Sequence, residues 1–371
     1  MKKILISYNS VGLGHKVIAE NIAQALKTFS GIEVVMLDLL EFYSGPLTST
    51  STAIYKQIIK NFRWLWKIFY TNQFFQALAL PLRVPFAALK AKKLQTFLDQ
   101  EKPDLFLSTH PAPTALMSYL KQKGKYTKPL VVTFSDFHFQ PFWVYPAVDR
   151  YLVMTVEQKD EVMKRGFASQ RIIVTGLPVD SVYGQDFDLP EVLRKFKLLR
   201  TKPVVLLMGG SRGWGIKISD VLELLKSSLD FQIVALSSLN QGLYDALQKL
   251  AEKHPDNLKI FGNLTSREVA QLFSIAKVLV TKPGGLTIAQ ALLKNLPMVL
   301  VNPLPTMEEM NQAYLARYGV AVGAKDAKTL RTWVERLLQD QKFYAEQKKR
   351  MKELYFPKSA EMAARAIIDI L

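Results

Sequence analysis

KVLVTKPGGLTIAQAL, residues 277–292, carries the most information about how this chain folds. Its first part, ending at Thr281, is an almost unbroken apolar run of strand length. Such runs belong to parallel strands covered by helices on both faces, whereas half-exposed strands alternate. Lys282-Pro283-Gly284-Gly285 stops the strand, and apolar residues at helical spacing follow. A glycine turn lets the backbone approach a ligand closely, and a helix N-terminus offers free N–H groups and a favourable dipole for anions. Lys282, Gly284, Gly285 and the Thr287 hydroxyl thus converge on a seat suited to a diphosphate.

Working outward, the same unit recurs. PVVLLMGG (203–210), FQIVALS (231–237), LKIFG (258–262) and PMVLVNP (297–303) are strand-like, and helical stretches separate them. This is the pattern of a doubly wound parallel sheet. Upstream, beyond a turn-rich stretch at Gly176–Pro190, the alternation starts earlier. Strands are expected at Lys3–Tyr8, Glu33–Leu37, Asp104–Ser108, Leu130–Phe134 and Tyr151–Met154, with a helix at Lys16–Phe29. At 371 residues the chain suits two domains of ordinary size. We therefore expect an α/β protein of two Rossmann-like doubly wound domains facing a cleft. The divisions are 1–177, 178–355 and a last helix at 356–371 returning to the first domain.

Composition narrows the chemistry. There is no cysteine, which removes disulfides, thiolate nucleophiles and cysteine-ligated metals. Forty-nine Lys and Arg against 32 Asp and Glu give a net charge of +17, which favours polyanionic partners. The apolar run of the N-terminus is too short for a signal peptide, and no stretch is apolar enough for a spanning helix. One segment stands apart. Residues 42–98 hold eight basic residues, twelve aromatics and no acid. On a helix, Lys56, Lys60, Arg63 and Lys67 form one stripe, and Tyr55, Phe62, Trp66 and Phe69 lie broadly opposite, with Trp64 nearby. A basic amphipathic helix rich in Trp and Phe suits a membrane interface. The plainer reading is a helix packed on its own domain with solvated bases. Nucleic acid is the other claimant, without a recognised motif.

Three further stretches carry chemistry. Gly12-Leu13-Gly14-His15 joins the first strand to its helix; it lacks the third glycine of a dinucleotide fingerprint, so NAD is not expected. His15 is placed to act as a general base, and capping or packing of the turn is its plainer role. Met208–Gly215, with Gly209, Gly210, Ser211 and Arg212, can present N–H groups and a guanidinium to phosphate. Gly262 closes another strand beside it. Asn302–Asn311 supplies Glu308, Glu309 and Asn311, which could bond sugar hydroxyls or merely cap a helix.

GLGH, the segment Val131–Trp143 with His138 and Trp143, VDRYLVMTVEQKDEVMKRG followed by RIIVTGLPV, MGGSRGWG, and TKPGGLTIAQAL followed by NPLPTMEEMNQAYL occur in one order. In that order they resemble the monogalactosyl- and processive glucosyl-diacylglycerol synthases, relatives of the peptidoglycan N-acetylglucosaminyltransferase. The resemblance spans nearly the whole chain. It implies a GT-B fold, a UDP-sugar held by the second domain, and inversion without a metal or any other cofactor. It also implies a diacylglycerol acceptor at a membrane-associated first domain, on the cytoplasmic face. His15 matches the family histidine that activates the acceptor, with Asp136 or His138 assisting; Gly12, Gly14, Trp143 and the basic helix lie on the acceptor side. The chain departs from the family at three places. Gln290-Ala291 stands for the usual Glu-Ala at the ribose, and Thr306-Met307-Glu308 for Gly-Gln-Glu at the sugar. Thr133-Phe134 stands for Thr-Asp, with Asp136 two residues later. The rival readings are N-acetylglucosamine transfer to a polyprenyl-linked precursor, a UDP-sugar epimerase, and a non-catalytic nucleotide-binding protein.

Overall fold

The computed structural model describes residues 1–10, 13–43, 90–210 and 215–371. The chain divides into two units, Met1–Val179 with Lys358–Leu371, and Asp180–Pro357.

In the first unit the strands are β1 (Lys2–Tyr8), β2 (Ile32–Asp38), β3 (Leu105–Ser108), β4 (Leu130–Thr133), β5 (Arg150–Val153) and β6 (Ile172–Val174). They form one parallel sheet in the order β2-β1-β3-β4-β5-β6. The helices are α1 (Leu13–Leu26), the single turn α2 (Leu39–Phe42), α3 (90–101), α4 (Pro111–Gln122) and α5 (Val156–Met163). Parallel neighbours need crossovers, and the apolar strands are covered as a result: Ile4, Leu5, Ile6, Phe106 and Leu107 are fully buried. Helix α1 begins three residues before the expected start, which sets His15 inside its first turn.

The second unit contains α6 (Leu189–Lys195), β7 (Val204–Met208), α7 (Ile218–Leu224), β8 (Gln232–Leu236), α8 (Gln241–Ala251), β9 (Leu258–Phe261) and α9 (Ser266–Ile275). It continues with β10 (Ala276–Thr281), α10 (Gly285–Leu293), β11 (Met298–Leu300), α11 (Met307–Arg317), β12 (Ala321–Gly323), α12 (Ala327–Gln339) and α13 (Gln341–Met351). Its parallel sheet runs β12-β11-β10-β7-β8-β9. The order makes β7 and β10 central neighbours, so the loops leaving their carboxyl ends lie side by side, where open α/β sheets bind ligands.

The last helix, α14 (Ser359–Ile368), belongs to the first unit and packs on α1. Three polar contacts hold this region. Arg150 Nη1 donates to the Ala366 carbonyl at 2.5 Å, Val179 N–H donates to Ser359 Oγ at 3.1 Å, and Asn21 Nδ2 donates to the Pro178 carbonyl at 3.0 Å. Lys358 turns the chain into α14 with φ of 62°, in the left-handed region. Among the described residues no helix is long and apolar enough to cross a membrane.

Candidate active site

In the first unit the expected base acquires a defined tautomer. Thr109 N–H donates to the Ser7 carbonyl at 3.0 Å, which carries the β1–β3 pairing one step past the strand ends. The residue after β3 thereby reaches the first turn of α1. His15 Nδ1 lies 2.7 Å from the Thr109 carbonyl, and Thr109 Oγ1 donates back to the His15 carbonyl at 3.1 Å. A carbonyl oxygen can only accept, so Nδ1 carries the proton and Nε2 is the basic nitrogen. Burial lowers the His15 pKa, and the Asp136 carboxylate and the Thr109 carbonyl partly offset it.

Asp136 is thus close enough to act on His15 through its charge. Its own position is set by Gln158, whose side chain is buried. Gln158 Nε2 donates to the Asp136 carbonyl at 2.6 Å and to the His138 carbonyl at 3.2 Å, and Gln158 Oε1 accepts from Met154 N–H at 2.8 Å. Gln158→Leu should leave two carbonyls and one N–H without these bonds. The expected cost is about 2–3 kcal/mol, read as a lower urea midpoint with an unchanged slope.

The ring that meets His15 edge-on is His110, at 4.7 Å between centroids and 85° between planes. His110 was not among the expected site residues; its sequence signal is modest, a His-Pro pair directly after an apolar strand. Trp143, expected at an acceptor or membrane surface, is instead only 4% exposed. It stacks on Phe134 at 5.4 Å and stands 6.2 Å from His15, so it walls the histidine from within the unit. Phe134, where the family has Asp, is fully buried in that stack. Gly14 has open space where a side chain would be. Gly12, Lys56, Lys60, Arg63, Trp64, Trp66 and Lys67 lie outside the described residues.

In the second unit the sheet order brings the two glycine loops together. Thr281 Oγ1, at the end of β10, donates to the Met208 carbonyl at the end of β7 at 2.7 Å. The Lys282 side chain then runs between Gly210 (φ 71°) and Gly215 (φ 104°). A Cβ at Gly215 would fall 2.8 Å from Lys282 Cβ, and one at Gly210 3.0 Å from Cε. The glycines are required both by their backbone angles and by the lysine they enclose. Lys282 Nζ pairs with Glu308 Oε1, and Glu308 Oε2 accepts from Leu304 N–H at 2.7 Å. Helix α10 starts at Gly285 with Gly284 as its cap, which has no side chain to bond the first N–H groups of this anion-attracting end. Thr287 and Gln290 lie on this helix, each nearly buried. Gly262 follows β9, beside the Tyr244 ring. Ser211 and Arg212 fall outside the described residues; Gly209 and Gly210 lie just before that gap.

Glu308, Glu309 and Asn311, read as bonding sugar hydroxyls or capping a helix, all have partners within the second unit. Asn311 is fully buried, and its Nδ2 donates to the Pro283 carbonyl at 3.1 Å. Glu309 accepts from Thr306 N–H at 3.2 Å, the helix-capping role. Glu308 is engaged by Lys282 and Leu304. Together they brace the Lys-Pro-Gly-Gly turn from α11. Thr306, which begins that helix, holds φ at 73°, a strained angle for a β-branched residue. One Asp-x-Asp triplet exists, Asp186-Phe187-Asp188. Asp188 stands at the N-cap position of α6 without a side-chain capping bond, and Lys294 and Arg267 lie over the Phe187 ring. Among the described residues no group of three His, Asp or Glu side chains could hold a metal.

Residues 15–179 match the family model for monogalactosyldiacylglycerol (MGDG) synthase, and residues 190–354 that for glycosyl transferases group 1. A processive diacylglycerol beta-glucosyltransferase of Bacillus cereus (strain AH187) is 28% identical over 368 residues, covering 99% of this chain and 93% of the relative. Among solved structures, MurG of Acinetobacter baumannii superposes with a TM-score of 0.62 at 17% identity, covering both chains completely. S. aureus MnaA bound to UDP gives 0.63 at 15% identity, covering 99% of this chain and 95% of that one. These two establish the architecture. Two tandem family matches, a full-length relative and two six-stranded parallel sheets together identify a glycosyltransferase of GT-B architecture that is similar to the monogalactosyldiacylglycerol synthases and processive diacylglycerol glucosyltransferases.

Proposed function

We propose that the chain transfers a hexose from a UDP-sugar to diacylglycerol or a similar membrane lipid, with inversion and without a metal or other cofactor. The observation that carries this reading is His15, with Nδ1 tied to a backbone carbonyl and Nε2 without a hydrogen-bond partner among the described residues. His15 Nε2 takes the proton of the acceptor hydroxyl as its oxygen bonds to the anomeric carbon. The bond from that carbon to the UDP oxygen breaks at the same time, and the pair of electrons leaves with UDP. Within the second unit, the N–H groups at the start of α10 and Lys282 are suited to hold the negative charge of UDP. In this reading Lys282 exchanges Glu308 for the diphosphate, and Gln290 offers an amide to the ribose. The family matches and the diacylglycerol-named relative support a lipid acceptor. The net charge of +17 suits an anionic membrane surface on the cytoplasmic side.

The test is to incubate pure protein with liposomes containing diacylglycerol and, in parallel, UDP-glucose, UDP-galactose or UDP-N-acetylglucosamine. A hexosyl-diacylglycerol identified by mass is the expected product. Product formation only with a polyprenyl-linked acceptor, or release of an epimerised UDP-sugar, would replace this reading.

A further inference from the structure

Two neighbouring histidine rings in the first unit carry Nε2 atoms of opposite hydrogen-bonding character. His110 caps α4 through its ring: Nδ1 accepts from Ala112 N–H at 3.1 Å. An accepting Nδ1 holds no proton, so the neutral ring carries it on Nε2. In His15 the arrangement is reversed, with the proton on Nδ1 and a lone pair on Nε2. Neither Nε2 has a hydrogen-bond partner among the described residues, and neither atom is buried away from ligand. The two ring centroids stand 4.7 Å apart with the planes at 85°, so the rings are close enough to share one small polar group.

We propose that His110 is an acceptor-positioning residue: its Nε2–H donates to the same hydroxyl oxygen whose proton His15 Nε2 removes. This inference rests on the lipid-acceptor reading for its substrate, and on the paired tautomers alone for its geometry. A hydroxyl is the group that satisfies both nitrogens, since it donates one proton and accepts at the same atom. An ether or ester oxygen can use only the His110 side, which gives the pair a means of choosing the free hydroxyl of a diacylglycerol over its esterified positions. Burial and the neighbouring His15 both hold the His110 pKa well below the usual histidine range, so the ring remains a neutral donor across the working pH. The groups facing it are His15 from α1 and the Ala112 N–H from α4, and the Asp136 charge acts on His15.

The test combines nitrogen-15 NMR of histidine-labelled whole protein with kinetics. The spectrum of the wild-type chain should show His110 protonated on Nε2 and His15 on Nδ1. Adding micelles of a short-chain diacylglycerol should shift both Nε2 resonances. His110→Asn keeps an oxygen to cap Ala112 and removes the Nε2 donor. It should lower kcat/KM for the lipid acceptor roughly tenfold to a hundredfold and leave the Kd for UDP unchanged. A proton on His110 Nδ1, an unmoved His110 resonance with micelles present, or unchanged kcat/KM in a folded His110→Asn protein would each overturn the proposal. The NMR result needs no sugar transfer. A chain that shifts both resonances with diacylglycerol micelles yet makes no glycolipid would therefore refute the transferase reading while retaining the contact of the hydroxyl with both rings.

Discussion

His15→Ala is expected to cut kcat for lipid glycosylation by about 10²- to 10⁴-fold, the usual contribution of a positioned general base. The side chain is half-buried and its one hydrogen bond goes to the Thr109 carbonyl, so the variant should fold and bind UDP as the wild type does. The same histidine dictates the acid limb of the pH profile. Only neutral His15 can accept a proton. Because burial lowers its pKa, kcat/KM should hold to below pH 6.5, the ordinary histidine value, and then fall. Stability follows the same sign. Both histidines bind protons less readily folded than unfolded, so below about pH 6.5 the unfolded state gains protons that the native state refuses, and stability declines. Full turnover by His15→Ala, or an acid limb above pH 6.5, would remove His15 from the mechanism.

Lys282→Ala should produce the largest combined loss. Its ammonium is the partner of the Glu308 carboxylate, whose side chain is only 9% exposed, and the lysine's own is 19% exposed. Removing one member of such a pair strands a buried charge, at about 3 kcal/mol or more. For a unit of this size that is a fall in Tm of roughly 6–12 °C. A charge-assisted bond to the diphosphate is worth about 1.5–3 kcal/mol more in binding, so the Kd for UDP should rise at least tenfold. The double variant Lys282→Ala/Glu308→Ala separates the two roles. It should recover most of the stability and none of the UDP affinity. Recovery of affinity as well would mean that Lys282 serves only to neutralise Glu308. The surrounding glycines sharpen the point: a side chain at Gly215 would occupy the space of the lysine stem, so the loop is built around Lys282.

Much of this protein is legible from local pattern. The apolar runs at 203–208, 231–236 and 276–281 are strands because a parallel sheet buried on both faces admits little else at those positions. The three-residue edge strands β6 and β12 are not expected from sequence, since so few residues carry no readable period. The Lys-Pro-Gly-Gly turn, the His15 turn and the glycines at 209–215 announce their chemistry because each lies at a strand-to-helix junction, where local geometry and ligand-binding capacity coincide.

What the sequence by itself determined, then, is the pair of doubly wound sheets and the junctions at which ligands bind, because both arise from backbone periodicity and from glycine and proline at fixed places. Tertiary structure alone decided which side chains are available at those junctions. Asn311 and Glu309 stand a few residues apart along the chain, and folding sets one in the core against the Pro283 carbonyl and the other on its own helix cap. Trp143 reads as a surface aromatic and becomes the wall behind His15. His110 gives almost no signal along the chain and becomes the ring nearest the base, because β1 and β3 are neighbours in the sheet although about a hundred residues separate them. The physical reason is common to all four. A side chain's hydrogen-bond partner and exposure depend on strand order and long-range packing, which no local spacing encodes.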